Sequence, residues 1–396
     1  MLALLLAPVY IGLVYYLGKQ VLHWMQTFHP AFGSKRFRIL SGMVYGFTAL
    51  TPLTAFLTSN GAIHRILKIW SNYWLGVLLY LNLVVGAVKA VEWIWKHSKL
   101  AKISWLNSKR AVVLRNLICF GILISIIAHG IVHPEVLYKT GYEITIEKSV
   151  PQRKPMKIVL VADLHVGYNT GTIMVHRVVK KINKCKPDLV VFAGDFYDND
   201  FEAIREPEEV AKELRKIKST YGVYGCWGNH DLEEAILAGF TFPKGEAFHE
   251  DPKLKEYMEE CGIQLLEDEA VLLENDCYLI GRKDPARCKK LSQTRKTPEE
   301  IVKDLDHTKP IFVMDHQPSE YTELAKAGVD LDMSGHTHDG QMFPCNYLMK
   351  LIWKNPYGYK RFDGMHTVVT SGAGIWGPSM RVGTKSEIVE ICVNFE

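Results

Sequence analysis

The sequence predicts an α/β domain, its sheets covered by helices, placed after an N-terminal α-helical transmembrane region. Three observations predict it. Four apolar stretches precede residue 134, short apolar runs alternate with helix-like stretches from residue 157, and the charge changes sign between the two parts. The chain has 396 residues, long enough for two structural units. It divides into residues 1–133, a transmembrane helical region; residues 134–156, a linker or first strand; and residues 157–396, the α/β domain.

The four apolar stretches run Leu2–Leu17, Ile39–Leu57, Tyr73–Val91 and Val112–Val132. Each approaches or reaches the roughly 20 residues a helix needs to cross a bilayer. The first is the shortest, and without a basic n-region or a small-residue cleavage site it does not read as a removable signal peptide. Orientation follows from the basic loops. The first loop carries Lys19, Lys35, Arg36 and Arg38, and the third carries Lys89, Lys96, Lys99, Lys102, Lys109 and Arg110. The second holds only Arg65 and Lys68. Loops one and three are therefore expected in the cytoplasm, which makes the chain a multi-pass protein of the cell membrane with its C-terminal domain extracytoplasmic. The N-terminus is outside with four spans and inside if Leu2–Leu17 does not span. Trp93, Trp95 and Trp105, interleaved with lysines, read as an interfacial aromatic belt. Gly42 and Gly46 form one GxxxG, a helix-packing signal. The region reads as an anchor, with a lipid-substrate entry surface as the alternative.

Residues 1–133 hold 13 Lys/Arg and one acid, Glu92, which leaves 34 Lys/Arg against 42 Asp/Glu in residues 134–396. A basic, apolar first part suits anionic lipid headgroups. The acidic remainder argues against general nucleic-acid affinity, which needs clustered positive charge. Eight cysteines occur without a CxxC pair or a zinc-finger spacing. Cys119 lies in an apolar stretch and the other seven are an odd number, so they read as small buried hydrophobes.

Beyond the Glu147–Lys157 stretch, with its Pro151 and Pro155, eight segments read as strands: Lys157–Ala162, Asp188–Ala193, Gly222–Cys226, Cys277–Ile280, Pro310–Met314, Asp330–Met333, His366–Thr370 and Ser386–Val393. Ile173–Asn183, Glu206–Lys218, Lys253–Cys261, Pro298–Leu305 and Ser319–Ala327 read as helices. The chemistry-bearing residues follow the strands. They are Asp163-Leu164-His165, Gly194-Asp195-Phe196-Tyr197-Asp198, Gly228-Asn229-His230-Asp231, Asp315-His316-Gln317 and Gly335-His336-Thr337-His338. Loops at strand ends converge over a sheet edge, where sites form.

Each motif alone is weak, because a lone histidine after a strand is often a satisfied polar residue and a Gly-Asp pair is often a turn. Five in order, each after an apolar strand, point to one chemistry. Two divalent ions about 3.5–4 Å apart need a bridging ligand with oxygen and nitrogen donors around it. Carboxylate suits hard cations and imidazole suits Zn, Fe or Mn. The glycines before the motifs allow tight turns and close backbone approach.

On these motifs, residues 157–396 resemble the calcineurin-like metallophosphoesterases. The stretches Ala162–Tyr168, Asp315–Pro318, Ser334–His338, Gly340–Pro344 and Ser371–Gly377 are similar to those of bacterial YkuE/YaeI-type phosphohydrolases. That subgroup often has Gly where this chain has Asp339. The resemblance implies a four-layer αββα sandwich and two divalent metal ions. It implies Asp163, His165, Asp195 and His338 as ligands of one ion, and Asp195, Asn229, His316 and His336 as ligands of the other, with Asp195 bridging. His230 resembles the catalytic histidine beside the leaving oxygen, with Asp231 orienting it. Asp198 reads either as a side chain behind the ligands or as a plain turn residue.

The expected reaction is metal-assisted hydrolysis of a phosphoester or pyrophosphate bond. Water activated between the ions attacks phosphorus in line, and His230 serves the leaving group. An anchored, outward-facing site suggests a phosphorylated lipid or cell-envelope substrate, with extracellular nucleotides next. A metal-binding membrane sensor or scaffold is the non-enzymatic alternative, disfavoured because a scaffold has no need of His230. A transporter is disfavoured because ionisable residues within the spans are almost absent.

Overall fold

The computed structural model describes residues 2–58, 61–99, 103, 105, 108–150, 154–274 and 277–396, residues 2–5 by backbone only. Lys102 and Pro151 lie outside the described residues. The chain forms two compact units, one of residues 1–131 with 236–240 and 377–380, the other of residues 132–235, 241–376 and 381–396.

The first unit is helical: α1 (Leu2–Phe28), α2 (Lys35–Leu57), α3 (Ala62–Lys96) and α4 (Lys109–Val132). Each of the four expected spans falls inside one helix. Among the described residues three helices, Lys35–Leu57, Ala62–Lys96 and Lys109–Glu135, are long and apolar enough to cross a membrane. α1, which contains Leu2–Leu17, is not one of the three. Polar bonds tie these helices together, as expected where lipid offers the backbone and side chains no partner. The Tyr10 hydroxyl donates to Ala49 O at 2.6 Å and accepts from Trp74 Nε1 at 2.9 Å. Glu92, the one acid of residues 1–133, pairs with Lys89 at 3.1 Å and Arg115 at 3.0 Å.

The second unit holds two six-stranded sheets. Its first strand, β1 (Leu137–Ile146), occupies the segment read as a linker or first strand. There follow β2 (Met156–Val161), α5 (Thr172–Cys185), β3 (Leu189–Ala193), α6 (Pro207–Leu214) and β4 (Val223–Cys226). A two-stranded ribbon, β5 (Glu234–Leu237) with β6 (Phe240–Pro243), whose residues 236–240 are grouped with the first unit, is followed by α7 (Pro252–Glu260), β7 (Gln264–Leu265), β8 (Glu269–Leu272) and β9 (Tyr278–Gly281). Then come α8 (Pro285–Leu291), α9 (Pro298–Val302), β10 (Ile311–Met314), α10 (Tyr321–Lys326) and β11 (Leu331–Ser334). The last elements are α11 (Cys345–Ile352), β12 (Gly358–Phe362), β13 (Met365–Val369) and β14 (Ser386–Phe395). All eight expected strands and all five expected helices are present. The strands not anticipated, β5 to β8 and β12, are two to five residues long and partly exposed, too short for an alternating pattern to show.

One sheet has the order β1-β14-β2-β3-β4-β7 and the other β12-β13-β11-β10-β9-β8. Alternation along the strands makes the layers. Ile158, Leu160 and Val191 of the first sheet share a core with Phe312, Met314 and Met333 of the second. Their neighbours Val159, Val161 and Val190 pack on Val178 and Ile182 of α5 and Met258 of α7. Ile311 and Val313 turn instead to Ile301 of α9 and Leu324 of α10. The result is helix, sheet, sheet, helix, the four-layer αββα sandwich. All eight cysteines are free thiols, six of them buried.

Within each sheet the central strands are parallel. Val161 pairs with Phe192 and Ala193 with Cys226 in one, Met314 with Met333 and Ser334 with Val369 in the other. The carboxyl ends of β2, β3, β4, β10 and β11 therefore come level, and the five motif loops emerge from them.

Candidate metal centre

Two clusters of potential metal ligands form at these strand ends. In each, the ligand atoms lie within 4.8 Å of one another: Asp163, His165 and His338 in one, Asp195, His316 and His336 in the other. All six come from the sequence-derived set. The seventh, Asn229, joins the second cluster, its Oδ1 3.1 Å from His316 Nε2.

The loops reach this arrangement through left-handed backbone at non-glycine residues. Asp163 (φ 54°), His165 (φ 45°), Asp195 (φ 52°), His336 (φ 72°) and His338 (φ 50°) all adopt it. Such a conformation costs roughly 1–2 kcal/mol at a residue with a Cβ, and strain of this kind concentrates at functional sites. Folding the chain back this sharply turns consecutive side chains into one space. Asp339 shares the conformation (φ 51°), the backbone reason Gly suits that position. The glycines act differently from one another. Gly194 has φ 77°, whereas Gly228 and Gly335 serve through the missing Cβ, which would run into the carboxylates of Asp195 and Asp163 respectively.

The polar contacts converge on two points. His316 Nδ1 lies 2.9 Å from Ala193 O. Donation to that carbonyl occupies Nδ1 and leaves Nε2, whose lone pair becomes available once a cation replaces the ring's second proton. Nε2 faces Asp195 Oδ2 at 3.1 Å, Asn229 Oδ1 at 3.1 Å and His336 Nδ1 at 3.2 Å. At the other point His165 Nε2 meets His338 Nε2 at 3.1 Å, with Asp163 Oδ1 3.5 Å from the latter. Asp195 Oδ2 is also 3.7 Å from His165 Nε2, so this one carboxylate borders both clusters. Acceptors crowded against acceptors repel unless positive charge lies between them, so the donor set fits divalent cations.

The electrostatics say the same. Burial pushes Asp163 up to about 7, although the charge of His316 opposes it. Burial holds His165 down to about 4, and His230 and His336 down to about 3. His316 is raised well above its ordinary value because Asp195 and Asp163 outweigh its burial. Asp163 is thus driven toward neutrality, whereas Asp195 is held well below the ordinary carboxylate range because His316 and His230 outweigh its burial, and a bound cation would favour the ionised form of both.

His230 belongs to neither cluster. Its backbone N–H donates to Asp195 Oδ1 at 2.8 Å, and its ring packs 5.5 Å from that of His165 and 5.4 Å from that of Trp376. Asp231, expected to orient the imidazole, does not touch it. Its carboxylate accepts the backbone N–H groups of Asp195 (2.9 Å), Gly228 (2.7 Å) and Tyr197 (3.0 Å), joining two motif loops. The partner of the imidazole is Asn199, whose Oδ1 is 2.9 Å from Nδ1. Asn199 Nδ2 donates in turn to Glu234 Oε2 at 2.6 Å, and Glu234 pairs with Lys290. Asp198 is buried one residue away, its backbone N–H bonded to Val166 O at 3.3 Å.

Three residues went unassigned in the sequence. Asn199 directly follows the Gly-Asp motif, and only its place beside His230 distinguishes it. Trp376 lies in the Ser371–Gly377 stretch, to which the resemblance attaches no role. Arg381 carries no signal at all, yet its fully buried guanidinium donates to Ser371 O at 2.6 Å and Gly374 O at 2.9 Å, bracing the loop beside Asp163 and His338. Asp315, grouped with the chemistry-bearing residues, instead binds two arginines away from the clusters.

A four-layer αββα sandwich with carboxylate, amide and imidazole donors at its strand ends defines a metal-dependent hydrolase of phosphoric esters. Residues 156–340 match the family model described as Calcineurin-like phosphoesterase, and the chain carries a metallophosphoesterase domain of that family, whose members use divalent metals. It is 28% identical to an uncharacterized metallophosphoesterase of Helicobacter pylori over 73% of each chain. A Danio rerio protein described as a transmembrane protein with metallophosphoesterase domain is 27% identical, over 80% of this chain and 70% of that one. The UDP-2,3-diacylglucosamine pyrophosphatase LpxG of Chlamydia trachomatis is 23% identical, over 53% of this chain and 71% of that one.

Proposed function

We propose that the chain is a membrane-anchored phosphoesterase with a dinuclear centre, acting on a phosphoester or pyrophosphate bond of a lipid or cell-envelope substrate. The observation that carries the dinuclear reading is the position of Asp195, 3.1 Å from His316 in one cluster and 3.7 Å from His165 in the other. Asp163, His165 and His338 would hold one divalent ion, Asn229, His316 and His336 the other, and Asp195 both. Mn, Fe and Zn suit such mixed donors. Bound there, the ions would supply Lewis-acid activation of water and of the phosphoryl oxygens.

The chain's own residues do the rest. Asp231 keeps the Asp195 and Gly228 loops in register through three backbone bonds. Asn199, pinned by Glu234, presents Oδ1 to His230, so the neutral ring carries its proton on Nδ1 and keeps Nε2 for the leaving oxygen. Burial disfavours the imidazolium in the free site, and an anionic phosphoryl group beside the ring favours it. His230 is thereby primed to take up a proton only with substrate present.

The lipid substrate is supported by the apolar helices of the same chain and by similarity to LpxG, whose name states a diacylated sugar nucleotide. The basic-loop bias supports an extracytoplasmic domain and the acidic composition disfavours nucleic acid. The test is hydrolysis by the detergent-solubilised chain with Mn²⁺ of a generic phosphodiester, a monoester and lipid pyrophosphates. Two ions per chain and preference for the lipid pyrophosphate are expected. Saturation at one ion overturns the dinuclear centre, and turnover of nucleotides alone overturns the lipid assignment. A C-terminal reporter active only in the cytoplasm would reverse the orientation.

A further inference from the structure

The second unit carries a helix with no core of its own. α11 (Cys345–Ile352) has no buried residue. Tyr347 (58% exposed), Leu348 (52%), Leu351 (84%) and Ile352 (67%) recur at one-turn spacing and form a single apolar stripe, which Phe343 (48%) extends. A soluble domain rarely leaves such a contiguous patch to water. The charge around it is equally biased. Residues 343–362 hold Lys350, Lys354, Lys360 and Arg361 and no Asp or Glu, although residues 134–396 as a whole are acidic. All four cationic side chains belong to exposed residues.

We propose that α11 is an interfacial helix that lies in the headgroup region of a lipid bilayer and sets the metal centre against it. Apolar side chains on one face with lysines beside them are what an interfacial helix needs, the first entering the acyl boundary and the second meeting anionic headgroups. A bilayer is the occupant favoured here because the same chain holds three helices able to cross one, which keeps lipid at high effective concentration. The patch also adjoins the chemistry. Its segment follows the loop bearing His336 and His338, and the ring of Trp353, the residue after α11, packs edge-to-face on His336 at 5.2 Å. A lipid phosphate would thus reach the centre without leaving the surface. This role in substrate delivery rests on the phosphoesterase reading; the docking itself does not.

The test uses the full-length chain in nanodiscs that contain phosphatidylserine and a lipid spin-labelled at a shallow acyl position. In a Cys345→Ser, Cys392→Ser background, a fluorophore is placed at Leu351→Cys or, as the control, at Lys212→Cys on exposed α6 surface. Quenching at position 351 should exceed that at 212 by at least ~threefold and weaken when zwitterionic lipid replaces the anionic one. Equal quenching at both positions overturns the docking. So does protection of position 351 that follows protein concentration rather than lipid, since the patch would then join copies of the chain. In a second arm, Leu348→Gln with Leu351→Gln should leave turnover of a soluble nitrophenyl ester unchanged and lower turnover of a vesicle-borne lipid phosphate about tenfold or more. Equal loss on both substrates overturns delivery by α11. Failure of the unsubstituted chain to cleave the soluble ester overturns the phosphoesterase reading instead, and the quenching result still decides the docking.

Discussion

His230 Nδ1 sits 2.9 Å from Asn199 Oδ1, and Glu234 holds the amide of that asparagine at 2.6 Å so that it cannot turn its nitrogen toward the ring. His230→Ala should keep both ions and lose roughly 10²–10⁴-fold in rate. The loss should shrink for a nitrophenolate leaving group, which needs no proton. Asn199→Ala frees the ring without removing it, so it should lose less than His230→Ala and show the same leaving-group dependence. Metal content, melting and rates on good and poor leaving groups are the measurements. A His230→Ala protein with full metal and an unchanged rate on a poor leaving group refutes the assignment.

Asp195 borders both ligand clusters, so Asp195→Asn should lose metal together with activity. Gly228→Ala should do the same without touching a ligand, because its Cβ would displace the Asp195 carboxylate. Elemental analysis after saturation with Mn²⁺ checks both. Retention of two ions in Asp195→Asn contradicts the bridge.

Asp315 is structural. Arg295 binds it at 2.5 and 3.2 Å, and the fully buried Arg282 binds it at 3.2 Å. Asp315→Ala leaves Arg282 and Arg295 with Glu320 as their remaining carboxylate partner among the described residues and should destabilise the fold by about 1–3 kcal/mol, the usual scale for removing one partner of a buried polar group. Saturating metal should not restore the melting temperature, which separates this from loss of the neighbouring ligand His316.

His366 gives the stability of the second unit a pH dependence. Its Nε2 lies 3.0 Å from Thr145 O and its Nδ1 3.0 Å from the Tyr359 hydroxyl, a pattern that suits the neutral ring. Burial lowers its pKa, the bond to Thr145 partly opposing. The folded value lies below the unfolded value of about 6.5. As pH falls below that, the unfolded chain takes up a proton the folded chain resists, and stability is lost on acidification. His366→Gln should therefore lose less melting temperature than the parent between about pH 7.5 and about pH 5.5. An identical decline in both proteins excludes His366 as the source.

Apolar patterning by itself determined eight strands and five helices of the α/β domain, because a buried strand or an amphipathic helix shows its period in sequence whatever it packs against, whereas the short, partly exposed β5 to β8 and β12 show none. The metal-ligand set was legible for a related reason. Donor chemistry admits few residue types, and each candidate sits two to four residues past a strand whose end the pattern marks, as Asp163 follows β2 and His316 follows β10. What surrounds the donors was not legible. Asp231 could be placed beside His230 only by adjacency in the chain, whereas the fold sends its carboxylate to three backbone N–H groups and brings Asn199 to the ring instead. Asp315 and His316 are neighbours in sequence with opposite fates, one locked to arginines and the other facing Asp195. Arg381 supports its loop through carbonyl oxygens, which every residue has and no sequence distinguishes. The left-handed turns at Asp163, His165, Asp195, His336 and His338 belong to the same class, since no local preference of aspartate or histidine demands them. Only level strand ends from two packed sheets, with the five loops crowded over them, force the backbone into that shape.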